Sequence, residues 1–262
     1  MSDINTLKES ADEIALNNTA GVYKLIKDNT TYWVKVCGEN KSNFVRYISS
    51  LIAKVESLSF LKTNALLTPE DRFEHEKLII SHLKEKGFPV PNIIDENDDY
   101  FITLDAGTPF EQVDPSLINE QLIEQLLLIF SVLHTNNIAH GRPALRDILV
   151  NDENEVQLID FEEATLKANS KLKARDIFLL LMDLHRIESI SQSAIISALF
   201  LWKGKVDDQD WQALISMGNR LQKLAFVGRL ILKFKPRNKT SIQILKVLEI
   251  LKIAQAQCTT EG

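Results

Sequence analysis

The sequence predicts an α+β fold, with strands gathered in the N-terminal third and helices filling the remainder. Two observations carry that expectation. Between Gly21 and Leu104, short runs of β-branched and aromatic residues alternate with polar turns. From Pro115 onward, apolar residues recur three and four positions apart, the spacing of helices that bury one side. At 262 residues the chain is long enough for a single domain divided into two lobes with a cleft between them.

Taken in order, Gly21–Ile26 and Thr31–Cys37 flank the polar run Lys27-Asp28-Asn29-Thr30, which predicts a β-hairpin carrying Lys24 and Lys35 in its strands. Phe44, Ile48, Leu51, Val55 and Leu58 then predict a helix over 43–61 with one apolar stripe. Lys41, Arg46, Lys54 and Lys62 lie beside it, so packing on its own domain, a partner groove and an anionic membrane surface all stay open. Thr68-Pro69-Glu70 reads as a helix start, with Thr at the cap and Pro in the first turn. That helix is expected to run to about Lys86 and stop at Gly87, ahead of Pro89 and Pro91. Asn92–Asp95 and Tyr100–Leu104 read as short strands around an Asn-Asp-Asp turn. Leu122, Leu126, Ile129 and Leu133 form the buried face of a further helix, ending near Asn136-Asn137. After it come a loop from His140 to Asp147 and two short apolar runs, Ile148–Val150 and Val156–Ile159, around an acidic turn. Everything beyond Lys171 reads as helix, broken near Gly204 and Pro236. The strand-rich part is placed at 1–104 and the helical part at 105–262, with no internal repeat and no low-complexity linker.

Composition narrows the function classes. A formal charge of -6 and a pI near 5.5 argue against nucleic acid as the main partner. Cys37 and Cys258 stand alone, which excludes a disulfide framework and the usual zinc spacings and fits a reducing, cytoplasmic compartment. The first eighteen residues are polar and carry acids, unlike a signal peptide. The longest apolar stretch, Leu122 to Leu133, is interrupted by Glu124 and Gln125 and falls short of the ~18 residues of a spanning helix. The membrane role left open is peripheral, on the cytoplasmic face, with the run Lys233-Phe-Lys-Pro-Arg-Asn-Lys239 as a second basic element that would assist it.

Four ingredients stand in an order that phosphoryl transfer would use. They are Lys35 inside a strand; Glu76 on the next helix, with Glu74 as a competing choice; the loop His140–Asp147; and Asp160, emerging from an apolar run and followed by Phe161, Glu162 and Glu163. A lysine paired with a helical carboxylate holds nucleotide phosphates, and two convergent carboxylates hold Mg²⁺ through hard oxygen ligands. Asp147 and Asp160 flank a hairpin, so its turn brings both to one end of the ladder. Taken singly, each has an ordinary structural explanation: an edge lysine, a surface glutamate, a turn cap, a strand end.

Trp33-Val-Lys35, Glu76-x-x-x-Ile80-x-x-Leu83 before Gly87-x-Pro-Val-Pro91, Leu133-His134 before Ile138-Ala-His140-Gly141, and Leu158-Ile-Asp160-Phe161 together resemble the protein-kinase-like superfamily. The nearest branch is that of the bacterial small-molecule kinases: aminoglycoside and choline kinase relatives and the lipopolysaccharide-core sugar kinases. The resemblance runs from about Gly21 to Leu184. It implies a two-lobed fold, with a small antiparallel-sheet N-lobe and a helical C-lobe, and ATP in the cleft beside Thr103–Thr108. It also implies Mg²⁺ and an acceptor hydroxyl on a small molecule or a glycolipid core sugar. By the same resemblance Lys35 is the phosphate lysine and Glu76 its partner. His140 is the loop histidine, Asp147 and Asp160 are the metal ligands, and Asp176 is the helix aspartate that anchors the loop backbone.

The departures bear on chemistry. The position of the catalytic aspartate holds Arg142, an always-charged guanidinium that cannot take a proton from a hydroxyl. Arg142 would instead neutralise charge on a transferring phosphoryl group, with Asp147 left to act as base. Asp147 stands where the pattern has asparagine, Glu162 stands where it has glycine, and the first hairpin lacks a G-x-G-x-x-G. Three outcomes follow: a phosphotransferase using Arg142, Asp147 and His140; a nucleotide-binding or regulatory module without transfer; and transfer of some other group from a nucleotide. Oligomeric state is not legible.

Overall fold

In the computed structural model, which describes residues 4–38 and 68–260, an antiparallel sheet of order β1-β2-β4-β3 forms the N-terminal part and helices form most of the rest. The striped helix expected over 43–61 lies outside the described residues. Strands β1 (Gly21–Lys27) and β2 (Thr30–Val36) are joined by Asp28 and Asn29, with φ of 48° and 60°. Two consecutive left-handed residues make the turn whose twist matches the strands it connects. β4 (Tyr100–Leu104) adds to β2, and β3 (Ile93–Glu96) adds to β4.

Alternation along β2 gives the sheet two different faces. Tyr32, Val34 and Val36 point one way and are covered by α1 (Ile4–Asn17) through Leu7 and Ala11, forming a small core of their own. Lys8 pairs with Asp95 at 2.8 Å, and Lys27 donates to the Thr6 carbonyl, fixing the helix across the strands. The sequence reading treated this segment only as polar. On the opposite face, Phe101 stacks against Phe73 of α2 (Pro69–Glu85), with ring centroids 5.4 Å apart.

Both ends of α2 are specified locally. Thr68 and Asp71 exchange side-chain and backbone bonds in a capping box. Gly87, at φ 75°, ends the helix while Phe88 donates to Leu83 and Gly87 donates to Lys84, a Schellman closure. Then β5 (Thr108–Pro109), β7 (Ile148–Val150) and β8 (Val156–Leu158) form a second small sheet, and β6 (Ile138–Ala139) pairs with β9 (Thr165–Leu166).

The helices are α3 (Glu120–Thr135), α4 (Ser170–Leu184), α5 (Gln192–Lys203), α6 (Asp208–Gln222), α7 (Ala225–Phe234) and α8 (Lys239–Thr260). Their breaks fall at the expected Gly204 and Pro236, and also after Leu184 and at Lys223–Leu224. The main core runs from Phe73 of α2 through α3 to Ala254 of α8, so the sheet's second face and the helical part share one apolar interior. Among the described residues, no helix is long and apolar enough to cross a membrane.

Candidate functional site

Lys35 lies on the face of β2 turned away from α1, directly opposite Phe101 in the β2–β4 register. The helix that packs on Phe101 through Phe73 carries Glu76 one turn further on. A strand residue and a helix residue 41 positions apart are thereby brought to 2.5 Å, Lys35 Nζ to Glu76 Oε2. Glu76 is only 2% exposed. The same ammonium lies 2.9 Å from Glu162 and 3.7 Å from Asp160. Burial disfavours the Lys35 charge, but Glu76, Asp160 and Glu162 outweigh it and raise the lysine above its ordinary range. Glu76 is a carboxyl that burial raises and Lys35 holds down, and the pair keeps its ammonium charged.

Asp160 reaches this point from the β7–β8 hairpin. Ile148 pairs with Leu158, and the Ile159 amide donates to the Asp147 carbonyl at 2.9 Å, which extends the ladder by one step. Asp147 and Asp160 accordingly sit at the same end of it. Asp160 itself has φ 65°, a strained backbone for a non-glycine residue. Burial, and then repulsion from Asp160, lift the Asp147 carboxyl to about 7 against the pull of Arg146 and Arg142. Among the described residues, Glu76, Asp160 and Glu162 bring their oxygens within 4.8 Å of one another. Asp147, which the sequence pairs with Asp160, stands outside that trio and takes a contact from Arg146 at 3.3 Å.

The loop before the hairpin is hung from α4. Asp176, fully buried, accepts from the amides of His140 at 2.7 Å and Gly141 at 3.0 Å, the anchoring that the sequence led us to expect. The same carboxylate meets His134 Nε2 at 3.3 Å, and His134 Nδ1 is met by the Trp202 indole at 2.9 Å. Gly141, at φ 94°, passes so close to Glu163 that a Cβ would sit 2.1 Å from its carbonyl oxygen. His140 is 1% exposed; its Nε2 bonds the Ile159 carbonyl at 2.9 Å and its ring packs on Phe161 at 4.8 Å. Burial lowers its pKa, so it is a neutral ring tying the loop to the Asp160 segment, the geometry of a positioning residue.

Arg142 projects from this loop half-exposed, its Nη1 3.8 Å from Glu163 Oε1. Arg175 meets the other oxygen of Glu163 at 3.5 Å. Burial raises the Glu163 carboxyl against both guanidiniums. Five acids (Glu76, Asp147, Asp160, Glu162 and Glu163) and five cations (Lys35, Arg72, Arg142, Arg146 and Arg175) thus converge from a strand, two helices, a loop and a hairpin.

Sequence reasoning missed Glu162 as a direct partner of Lys35, and Arg72, which reaches Glu162 at 3.7 Å. Signals existed for both. Arg72 lies four residues before Glu76 on one helix face, and Glu162 is two past Asp160. His75 bonds the Ala164 carbonyl at 2.8 Å, a link between α2 and the segment after Asp160 that no local pattern announces.

No protein-family model matches the chain. Over 195 residues it is 31% identical to an uncharacterized protein of Haemophilus influenzae, across 71% of this chain and 78% of that one.

Proposed function

We propose that this chain, which belongs to the same family as the uncharacterized Haemophilus influenzae protein, is a two-lobed kinase-like phosphotransferase that uses ATP and Mg²⁺. The observation that carries the reading is the meeting of Lys35, Glu76 and Asp160 from three separate elements around one charged ammonium. A lysine fixed by a buried helical carboxylate beside an acid from a strand end is the arrangement that phosphate binding with a cation needs. The donor set also fits Mg²⁺, since it consists of carboxylate oxygens and carries more negative charge than Lys35 alone offsets. Asp160 and Glu162 would hold the ion, which when bound supplies neutralisation of phosphate oxygens.

In this reading the acceptor hydroxyl oxygen attacks the γ-phosphorus and the bond from that phosphorus to the β–γ bridging oxygen breaks. The phosphoryl group ends on the acceptor, ADP leaves, and the hydroxyl proton passes to Asp147. With its pKa near 7, Asp147 is suited to that exchange at neutral pH. Lys35 orients the phosphates. Arg142, swung from Glu163, would meet the charge on the group in transit. The acceptor class, a small molecule or a glycolipid core sugar, rests on the sequence resemblance. A second reading, a nucleotide-binding module without transfer, is favoured by the engagement of Lys35 with three carboxylates, and it agrees with the resemblance, which puts Arg142 at the position of the proton acceptor.

The test is thermal unfolding with ATP, with and without Mg²⁺, on the wild type, Lys35→Ala and Asp160→Ala. The expected result is a Mg²⁺-dependent rise, worth about 2.7 kcal/mol at ~100 times the dissociation constant, absent from both variants. No rise at millimolar ATP overturns the nucleotide site. ADP release on incubation separates phosphoryl transfer from the binding-only reading, and AMP release would point to transfer of a different group.

A further inference from the structure

Helix α7 is built inside out. Of its ten residues only Ala225 is buried, and its inner side is narrow: Gly228, where a side chain would meet Leu245 of α8, lets the two helices approach. Phe226, Val227, Leu230, Ile231 and Phe234 recur at steps of one and three, which sets them on one continuous stripe covering about 140° of the helix. That stripe faces outward, with Phe226 63% and Phe234 75% exposed. A surface helix of a globular domain ordinarily turns its apolar side inward and its charged side out.

The charge around the stripe is equally one-sided. Residues 211–248 contain eight lysines and arginines and no aspartate or glutamate, in a chain whose overall charge is -6. On α7, Arg229 and Lys233 border one edge of the stripe at helical spacing, and Lys235 follows at the other edge. Lys235, Arg237 and Lys239, all exposed, continue the basic border through the turn into α8, where a shallow pocket is lined by Lys235, Pro236, Arg237 and Asn238.

We propose that α7 and the turn after it dock the protein onto a membrane surface bearing anionic lipid. An exposed apolar stripe flanked by cations suits a helix lying in the plane of the headgroups, its aromatic side chains among the acyl chains and its lysines and arginines among the phosphates. A second copy of the chain on the same face would set cations against cations, and an uncharged apolar partner would leave them desolvated without counter-charge. The surface is independent of the proposed phosphotransfer, since none of its residues belongs to the Lys35 cluster.

The measurement is co-sedimentation of the full chain with phosphatidylcholine vesicles, with and without about one-third phosphatidylglycerol, at low and at ~0.5 M salt. The wild type is expected to sediment with the anionic vesicles alone and to be released by salt. Phe226→Ser with Phe234→Ser, and separately Arg229→Glu with Lys233→Glu, are each expected to lower partitioning at least tenfold. Because all four side chains are exposed, unfolding temperatures should match the wild type, which separates lost docking from lost folding. Equal sedimentation of wild type and both variants, or equal binding to uncharged vesicles, overturns the proposal. So does a dimer in sedimentation velocity that the Phe226/Phe234 variant abolishes, when the wild type ignores vesicles.

Discussion

Asp147 is held where a carboxylate is costly, 5% exposed and facing Asp160, and this has a consequence for stability. Its carboxyl titrates near 7 in the folded chain and near the ordinary ~3.9 when unfolded. Between those values the folded state binds the extra proton, so the contribution is full below about pH 4 and is lost as pH rises toward 7. Asp147→Asn is therefore expected to stabilise the protein at pH 8 by on the order of 2 kcal/mol and to flatten that part of the pH profile, read by urea unfolding at several pH values. A stability that falls with decreasing pH over the same window, or no difference at pH 8, would contradict it. At this scale Lys35, Glu76 and Asp160 were legible as a set in chain order rather than singly, and Asp176 only through the resemblance that names a loop-anchoring helix aspartate. Glu162 and Arg72 carried weaker signals, because Glu162 matters through Lys35 and Arg72 through Glu162, contacts between elements far apart in the chain.

Helix α2 is the element through which the acid partner of Lys35 is delivered, and its ends are written in short-range chemistry. Thr68→Ala removes one half of the capping box and should cost about 1 kcal/mol, and Gly87→Ala should cost about as much because its φ of 75° suits glycine. Both are measured by denaturant unfolding, and two neutral variants would mean the helix ends are held by packing alone. Elements with such signals were foreseeable: the β1–β2 hairpin with its Asp-Asn turn, α2, α3, and the β7–β8 ladder. Two-residue strands such as β5, β6 and β9 were not, since each exists only through a partner distant in sequence. Helix α1 had a readable stripe in Leu7, Ala11 and Ile14, but its polar bulk masked it.

Among the described residues there are two apolar interiors, and the site lies on the larger one's side of the sheet. The smaller, between α1 and β1, β2 and β4, holds the strand that carries Lys35. Leu7→Ala should cost about 2–4 kcal/mol and should speed amide exchange in β1, β2 and β4 before it does so in α4 to α6. Uniform acceleration across the chain would mean that the two interiors open as one. The broad division into a sheet and a helical part was visible from hydrophobic period alone; that α1 closes the sheet's far face was not, because burial of seven residues there depends on the assembled strands.

The contact line from Trp202 through His134 to Asp176 joins three helices to the loop at His140. An indole N–H only donates, so His134 Nδ1 must be bare and the ring's single hydrogen is committed to Nε2, where it meets Asp176. That carboxylate in turn faces only donors, the two loop amides and the imidazole. The line therefore has a direction as well as a shape: every hydrogen along it is told which way to point by an indole on α5. A neighbour of the same volume that lost this N–H would keep the packing and surrender the instruction, leaving the ring free to present a lone pair to a carboxylate.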